Sequence, residues 1–79
     1  MNQPKSTLTR ELALVRVITD CQEDALRVVG AWSGRLIELS ESYFTVELSA
    51  TPDRVSGFLE RLADHGQVTV VRSGALSLG

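Results

Sequence analysis

The sequence predicts an α+β sandwich in which one four-stranded antiparallel sheet carries two helices on a single face. Three observations point there: four short apolar runs of strand length, two amphipathic segments of helical period lying between them, and links of only a few residues. With 79 residues the chain has room for one hydrophobic core and no second.

The first strand is read at residues 10 to 18, RELALVRVI, where Ala13, Val15 and Val17 alternate with Leu12, Leu14 and Arg16. Nearly every position is apolar, as in a strand covered on both faces or lying at the centre of a sheet. Asp20, with Glu23 three residues on, resembles a capping arrangement, and Ala25, Val28, Val29 and Trp32 recur at helical spacing, so the first helix is expected over 22 to 32. Gly34 is expected to supply the turn out of it. The second strand, 34 to 40, places Ile37 and Leu39 on one face and Leu36 and Glu38 on the other.

The third strand, 43 to 49, turns Phe44, Val46 and Leu48 inward and Tyr43, Thr45 and Glu47 outward, so strands two and three form a hairpin. Its turn lacks an Asn-Gly pair, which leaves the register unspecified. Thr51 before Pro52 is a helix start, and Val55, Phe58, Leu59, Leu62 and Ala63 form the apolar stripe of helix two, which Gly66 is expected to end in a left-handed cap. QVTVVRS at 67 to 73 is the last strand.

Strand, helix, strand, strand, helix, strand is the ferredoxin-like βαββαβ order. Right-handed crossovers put both helices on the same face, so the other face has no cover from this chain. Leu12, Leu14, Leu36, Tyr43 and Val71 are expected there, mixed with Arg16, Glu38 and Glu47. A half-apolar face of this kind predicts a homodimer or another partner surface. Residues 10–79 read as the single domain and 1–9 as a flexible polar leader.

Eight Lys and Arg against ten Asp and Glu give a net charge of −2, which disfavours nucleic acid as a partner. No apolar run approaches the length that spans a bilayer, so no membrane partner is expected. A lone cysteine, Cys21, cannot form an internal disulfide and points to a reducing cytoplasm.

Catalysis requires a nucleophile with a base, paired carboxylates or metal ligands converging on a pocket, and the sequence offers none of these sets. His65, the only histidine, reads as a favourable cation at the last turn of helix two. Cys21, near the start of helix one, has no histidine nearby in sequence and no CxxC partner, and reads as an ordinary cysteine. Trp32 reads as core, and Arg10, Arg16, Arg35, Arg54 and Arg72 read as solvated or ion-paired positions. No glycine-rich stretch joins strand one to helix one, so no phosphate loop is expected; no cofactor or metal is expected either.

RELALVRV at 10 to 17, IELS at the end of strand two, SATPDRVSGFLERL entering helix two, and the closing RSGALSLG together resemble the C-terminal domain of the acetolactate synthase small, regulatory subunit. The resemblance implies an ACT-like fold and a non-catalytic role. It also implies a partner: the thiamine-diphosphate-dependent catalytic subunit of branched-chain amino-acid biosynthesis, whose activity the small subunit raises while conferring feedback inhibition by valine. In such proteins the amino-acid site is carried chiefly by a separate N-terminal ACT domain. Only nine polar residues precede strand one here, so that domain is expected to be absent.

The alternative is a free-standing ACT-like sensor that binds a small amino acid between protomers at the loop after strand one, Thr19, Asp20 and Cys21. That loop has no glycine to let backbone amides approach a ligand, and Asp20 would repel a ligand carboxylate.

Overall fold

The structure, a computed structural model, describes residues 9–74, 76 and 77. The elements are β1 (Thr9–Ile18), α1 (Gln22–Ala31), β2 (Arg35–Leu39), β3 (Tyr43–Ala50), α2 (Pro52–Ala63), β4 (Gln67–Arg72) and a two-residue β5 (Leu76–Ser77). Strand order is β2-β3-β1-β4, all antiparallel, so the βαββαβ expectation holds. β5, which the sequence did not suggest, pairs with the start of β1 at Thr9 and Arg10. Apart from Thr9, the leader expected at 1–9 lies outside the described residues, as do residues 75, 78 and 79 of the closing segment.

β1 lies at the centre of the sheet with strict alternation: Glu11, Ala13, Val15, Val17 and Thr19 are buried, while Leu12, Leu14, Arg16 and Ile18 are exposed. Of the two situations compatible with its composition, central position is therefore the one realised, with a single covered face. That face, extended by Phe44, Val46, Leu48 and Ala50 of β3, packs on Ala25, Val28 and Val29 of α1 and Val55, Phe58 and Leu62 of α2. Both helices thus cover the same side. Ala63, expected in the α2 stripe, is exposed at the helix's last residue.

The helix ends differ from expectation in informative ways. α1 has Cys21 at its N-cap with no side-chain cap bond; the Thr19 hydroxyl instead accepts from the Cys21 N–H at 3.0 Å, so Asp20 and Glu23 form no capping box. α1 closes through Ser33, a left-handed residue with φ 63°, and Gly34 is not the residue that turns. Trp32 caps α1 half-buried, its ring 6.0 Å from that of Phe58 and under the Arg54 guanidinium at 4.8 Å. Thr51 caps α2 as expected, accepting from the Arg54 N–H at 3.4 Å.

α2 ends on two short bonds, Asp64 N–H to the Arg61 carbonyl and His65 N–H to the Leu62 carbonyl. Gly66 is not in a left-handed conformation. Its missing side chain matters for space: a Cβ there would stand 2.3 Å from the Ile18 carbonyl oxygen.

At the far end of the core, Glu11 is only 5 % exposed and is held by Arg72, which donates from Nε at 3.0 Å and also from Nη2. Arg72 reaches on to the Ser56 hydroxyl at 3.2 Å and the Pro52 carbonyl at 3.3 Å, tying β4 to the first turn of α2. The hydrogen bond from Arg72, outweighing partial burial, holds the Glu11 carboxyl below its ordinary pKa, and Glu11 raises that of Arg72. Charge beneath a helix is thus retained where one guanidinium satisfies it.

Candidate functional site

Two surfaces gather the residues that the sequence marked. The first is the open face of the sheet. β1 contributes Leu12, Leu14, Arg16 and Ile18, and pairing sets Val71 opposite Leu14, Thr45 opposite Arg16 and Tyr43 opposite Ile18. Leu12, Leu14, Ile18 and Val71 keep 44 to 69 % of their surface exposed. Leu14, Arg16, Thr45, Thr69 and Val71 line a shallow depression of about 220 Å³.

On its β2–β3 side the same face is polar and internally satisfied. The Arg16 guanidinium lies 4.4 Å from the centre of the Tyr43 ring and donates to Glu38 Oε1 at 3.3 Å. Tyr43 donates its hydroxyl proton to Glu38 Oε2 at 3.1 Å, and Thr45 donates to Glu38 Oε1 at 3.4 Å. Arg35 pairs loosely with Glu47 at 3.7 Å. The face is therefore an aliphatic strip beside a polar cluster whose groups already have partners.

Leu36 does not belong to it. A register shift between Leu36 and Glu38 sets Arg35 opposite Glu47 and Glu38 opposite Thr45, both on the open face, while Leu36 stands opposite Val46 and Leu39 opposite Phe44, on the helix side. The extra residue, Ile37, breaks the two-residue alternation that had put Leu36 with Glu38. Ile18, which shares the parity of Leu12 and Leu14, was passed over although that alternation could have found it.

The second surface is the mouth of the β1–α1 loop. Thr19, Asp20 and Cys21 do come together with Ile18, His65, Gly66 and Gln67 around an open depression of about 490 Å³. The chain topology, not spacing along the sequence, brings in the last three, because β4 starts beside the end of β1. The Thr19 hydroxyl is committed, donating to the His65 carbonyl at 2.6 Å. The Cys21 thiol is exposed. His65 follows the C-cap of α2, and its carbonyl is the group in use. No group of three or more metal-ligating side chains exists among the described residues.

Fold and surface define a class: a small ACT-like domain of ferredoxin type whose distinguishing feature is a half-apolar open sheet face. Comparison with known proteins then narrows it. The family model described as the small subunit of acetolactate synthase matches residues 10–79, and the chain belongs to that family. It is similar to the acetolactate synthase small subunit of Aquifex aeolicus, 26 % identical over 72 residues that make up 87 % of this chain and 38 % of that protein. The small subunit of Haemophilus influenzae is 28 % identical over 68 residues, 85 % of this chain and 42 % of that protein. The crystal structure of the acetolactate synthase small subunit from Thermotoga maritima shares the fold, with a TM-score of 0.81 at 22 % identity over 90 % of this chain and 45 % of that one. This chain spans less than half the length of these relatives. The resemblance read from RELALVRV and the closing segment is thus shown, and it is to the enzyme's small subunit, not to its catalytic one.

Proposed function

We propose that this chain, with residues 10–79 as its one domain, is a regulatory module that lays the open face of its sheet against the catalytic subunit of acetolactate synthase and raises that subunit's activity in branched-chain amino-acid biosynthesis in the cytoplasm. The observation that carries the reading is the strip of Leu12, Leu14, Ile18 and Val71, exposed on a central strand and its neighbour while the opposite face of β1 and β3 is covered by the helices. The polar cluster of Arg16, Glu38, Tyr43 and Thr45 beside it supplies fixed shape and charge that a partner can match without rearranging the sheet.

Mixing the chain with its cognate catalytic subunit tests this directly. Co-elution and a higher rate of acetolactate formation are expected, and both should disappear with Val71→Asp while the variant stays folded. An unchanged rate at saturating chain would remove the proposal.

The depression at Thr19, Asp20 and Cys21 favours one second reading, a small amino acid bound there. The committed Thr19 hydroxyl and the exposed Asp20 carboxylate count against a ligand carboxylate at that place. Calorimetry with valine decides: micromolar binding would establish the sensor.

A further inference from the structure

The β4 edge of the sheet lacks the features that keep a free edge from pairing. Among the described residues β4 has β1 on one side and no strand on the other. Such an edge is ordinarily blunted by charge, proline or a bulge. From Gln67 to Val71 there is no charged residue and no proline, and the register with β1 runs unbroken from Gln67 to Arg72. Val68, Thr69, Val70 and Val71 are all β-branched, the side chains that favour extended backbone.

Two hydrogen bonds determine which main-chain groups face outward. The Ser73 N–H donates to the Leu12 carbonyl at 2.9 Å, and in an antiparallel pair inward-bonding residues recur at every second position, so Val71 and Thr69 also bond to β1. The Thr19 N–H donates to the Ser42 carbonyl at 3.1 Å, which gives the odd residues of β1 to β3 and leaves Leu14 and Arg16, the partners of Val71 and Thr69, for β4. Val68 and Val70 therefore present their N–H and C=O groups to the open edge. Their side chains, on the helix side with Leu59 of α2, are only partly buried at the rim of the core.

We infer, on the reading of the open face as the surface that meets the catalytic subunit, that an extended segment of that subunit adds to the sheet along β4. It bonds to the outward groups of Val68 and Val70 and closes over their side chains with aliphatic residues at every second position. The aliphatic strip of the open face ends on β4 at Val71, 69 % exposed, so a partner lying on the strip already reaches the edge. Strand addition supplies main-chain hydrogen bonds for affinity and alternate side-chain contacts for specificity. A second copy of this chain is the poorer occupant, because β4 paired with its own copy leaves Leu12, Leu14 and Ile18 of both uncovered.

Amide exchange of the full chain, free and bound to its cognate catalytic subunit, reads the edge without any substitution. The Val68 and Val70 amides should exchange quickly in the free chain and slow by about tenfold or more in the complex, whereas those of Thr69 and Val71, already bonded to β1, are slow in both. Val70→Pro removes one outward N–H at a position where an edge strand tolerates proline. It should weaken the complex about tenfold with the circular dichroism of the free chain unchanged; should the variant unfold, the exchange comparison stands alone. Co-elution and activation with the Val68 and Val70 amides still exchanging freely would overturn strand addition and leave docking on the open face standing. Slow exchange of those amides in the free chain, lost on dilution, would assign the edge to a second copy and overturn it as well. Failure to co-elute would overturn both readings.

Discussion

Replacing Gly66 by alanine tests the closest approach made to any glycine among the described residues. The added Cβ would stand 2.3 Å from the Ile18 carbonyl oxygen and 2.8 Å from Thr19 Cβ. Packed carbon atoms sit about 3.5–4.0 Å apart, so the turn between α2 and β4 must withdraw by roughly 1 Å. The obstacle is backbone and cannot rotate aside. Overpacking of this kind costs about 1–3 kcal/mol. The same movement stretches the 2.6 Å bond from the Thr19 hydroxyl to the His65 carbonyl, a net loss of about 1 kcal/mol. Restricting the unfolded chain returns about 0.4–1 kcal/mol. The balance is a loss of about 2 kcal/mol, a fall in Tm of roughly 8–16 °C for a domain of this size. Urea unfolding followed by the fluorescence of Trp32, the only tryptophan, reads it directly. Gly30→Ala is the matched control, because no atom lies within 4 Å of a Cβ built there and the position is helical and exposed. It should gain about 0.5–1 kcal/mol. A Gly66→Ala chain as stable as the wild type would refute the claim that close approach, and not backbone conformation, demands glycine.

Gln22→Leu should cost about 1–2 kcal/mol, since its side-chain amide donates to the Ser40, Glu41 and Tyr43 carbonyls at 2.8, 3.1 and 3.3 Å and holds the β2–β3 turn to the start of α1; amide exchange confined to that turn should quicken with it. Glu11 supplies a pH dependence. Its native pKa is depressed by Arg72, so the native state binds fewer protons than the unfolded one, and the stabilisation is complete above the ordinary glutamate range and lost as pH falls through the depressed value. Denaturation midpoints of Glu11→Gln should therefore trail the wild type at neutral pH and converge with it on acidification. Leu14→Asp, at a half-exposed position of the central strand, should cost about 1–2 kcal/mol and leave the chain folded, yet abolish activation of the catalytic subunit in the acetolactate assay.

Element order and most of the core were legible because period and capping chemistry agree: Thr51 before Pro52, and the alternation of Phe44, Val46 and Leu48, have one structural outcome each. What was not legible arises from contacts remote in sequence. Leu36 was assigned to the wrong face because a bulge is invisible to a strict count of two, and no turn residue of the hairpin pinned the register. Gly66 was read as a left-handed cap because glycine after a helix usually serves that purpose, whereas its neighbour here is Ile18, brought alongside by the β1–β4 pairing. The depression around Thr19, Asp20 and Cys21 acquired His65 and Gln67 by the same route. Nothing in the local sequence marks Glu11 for burial, since Arg72, 61 residues away, is what makes it tolerable.

The size of the open face sets how firmly it can hold the proposed partner. Leu12, Leu14 and Ile18 are roughly half-covered already and Val71, 69 % exposed, less so, and complete burial would add about 3–6 kcal/mol in all. Association costs about 4–15 kcal/mol in lost freedom, which one such face meets only at the lowest end. Firm docking of a partner on this face therefore needs area beyond the aliphatic strip, and the cluster of Arg16, Glu38, Tyr43 and Thr45 beside it is the surface that can supply it, since its groups are already held in place and need no reordering on contact.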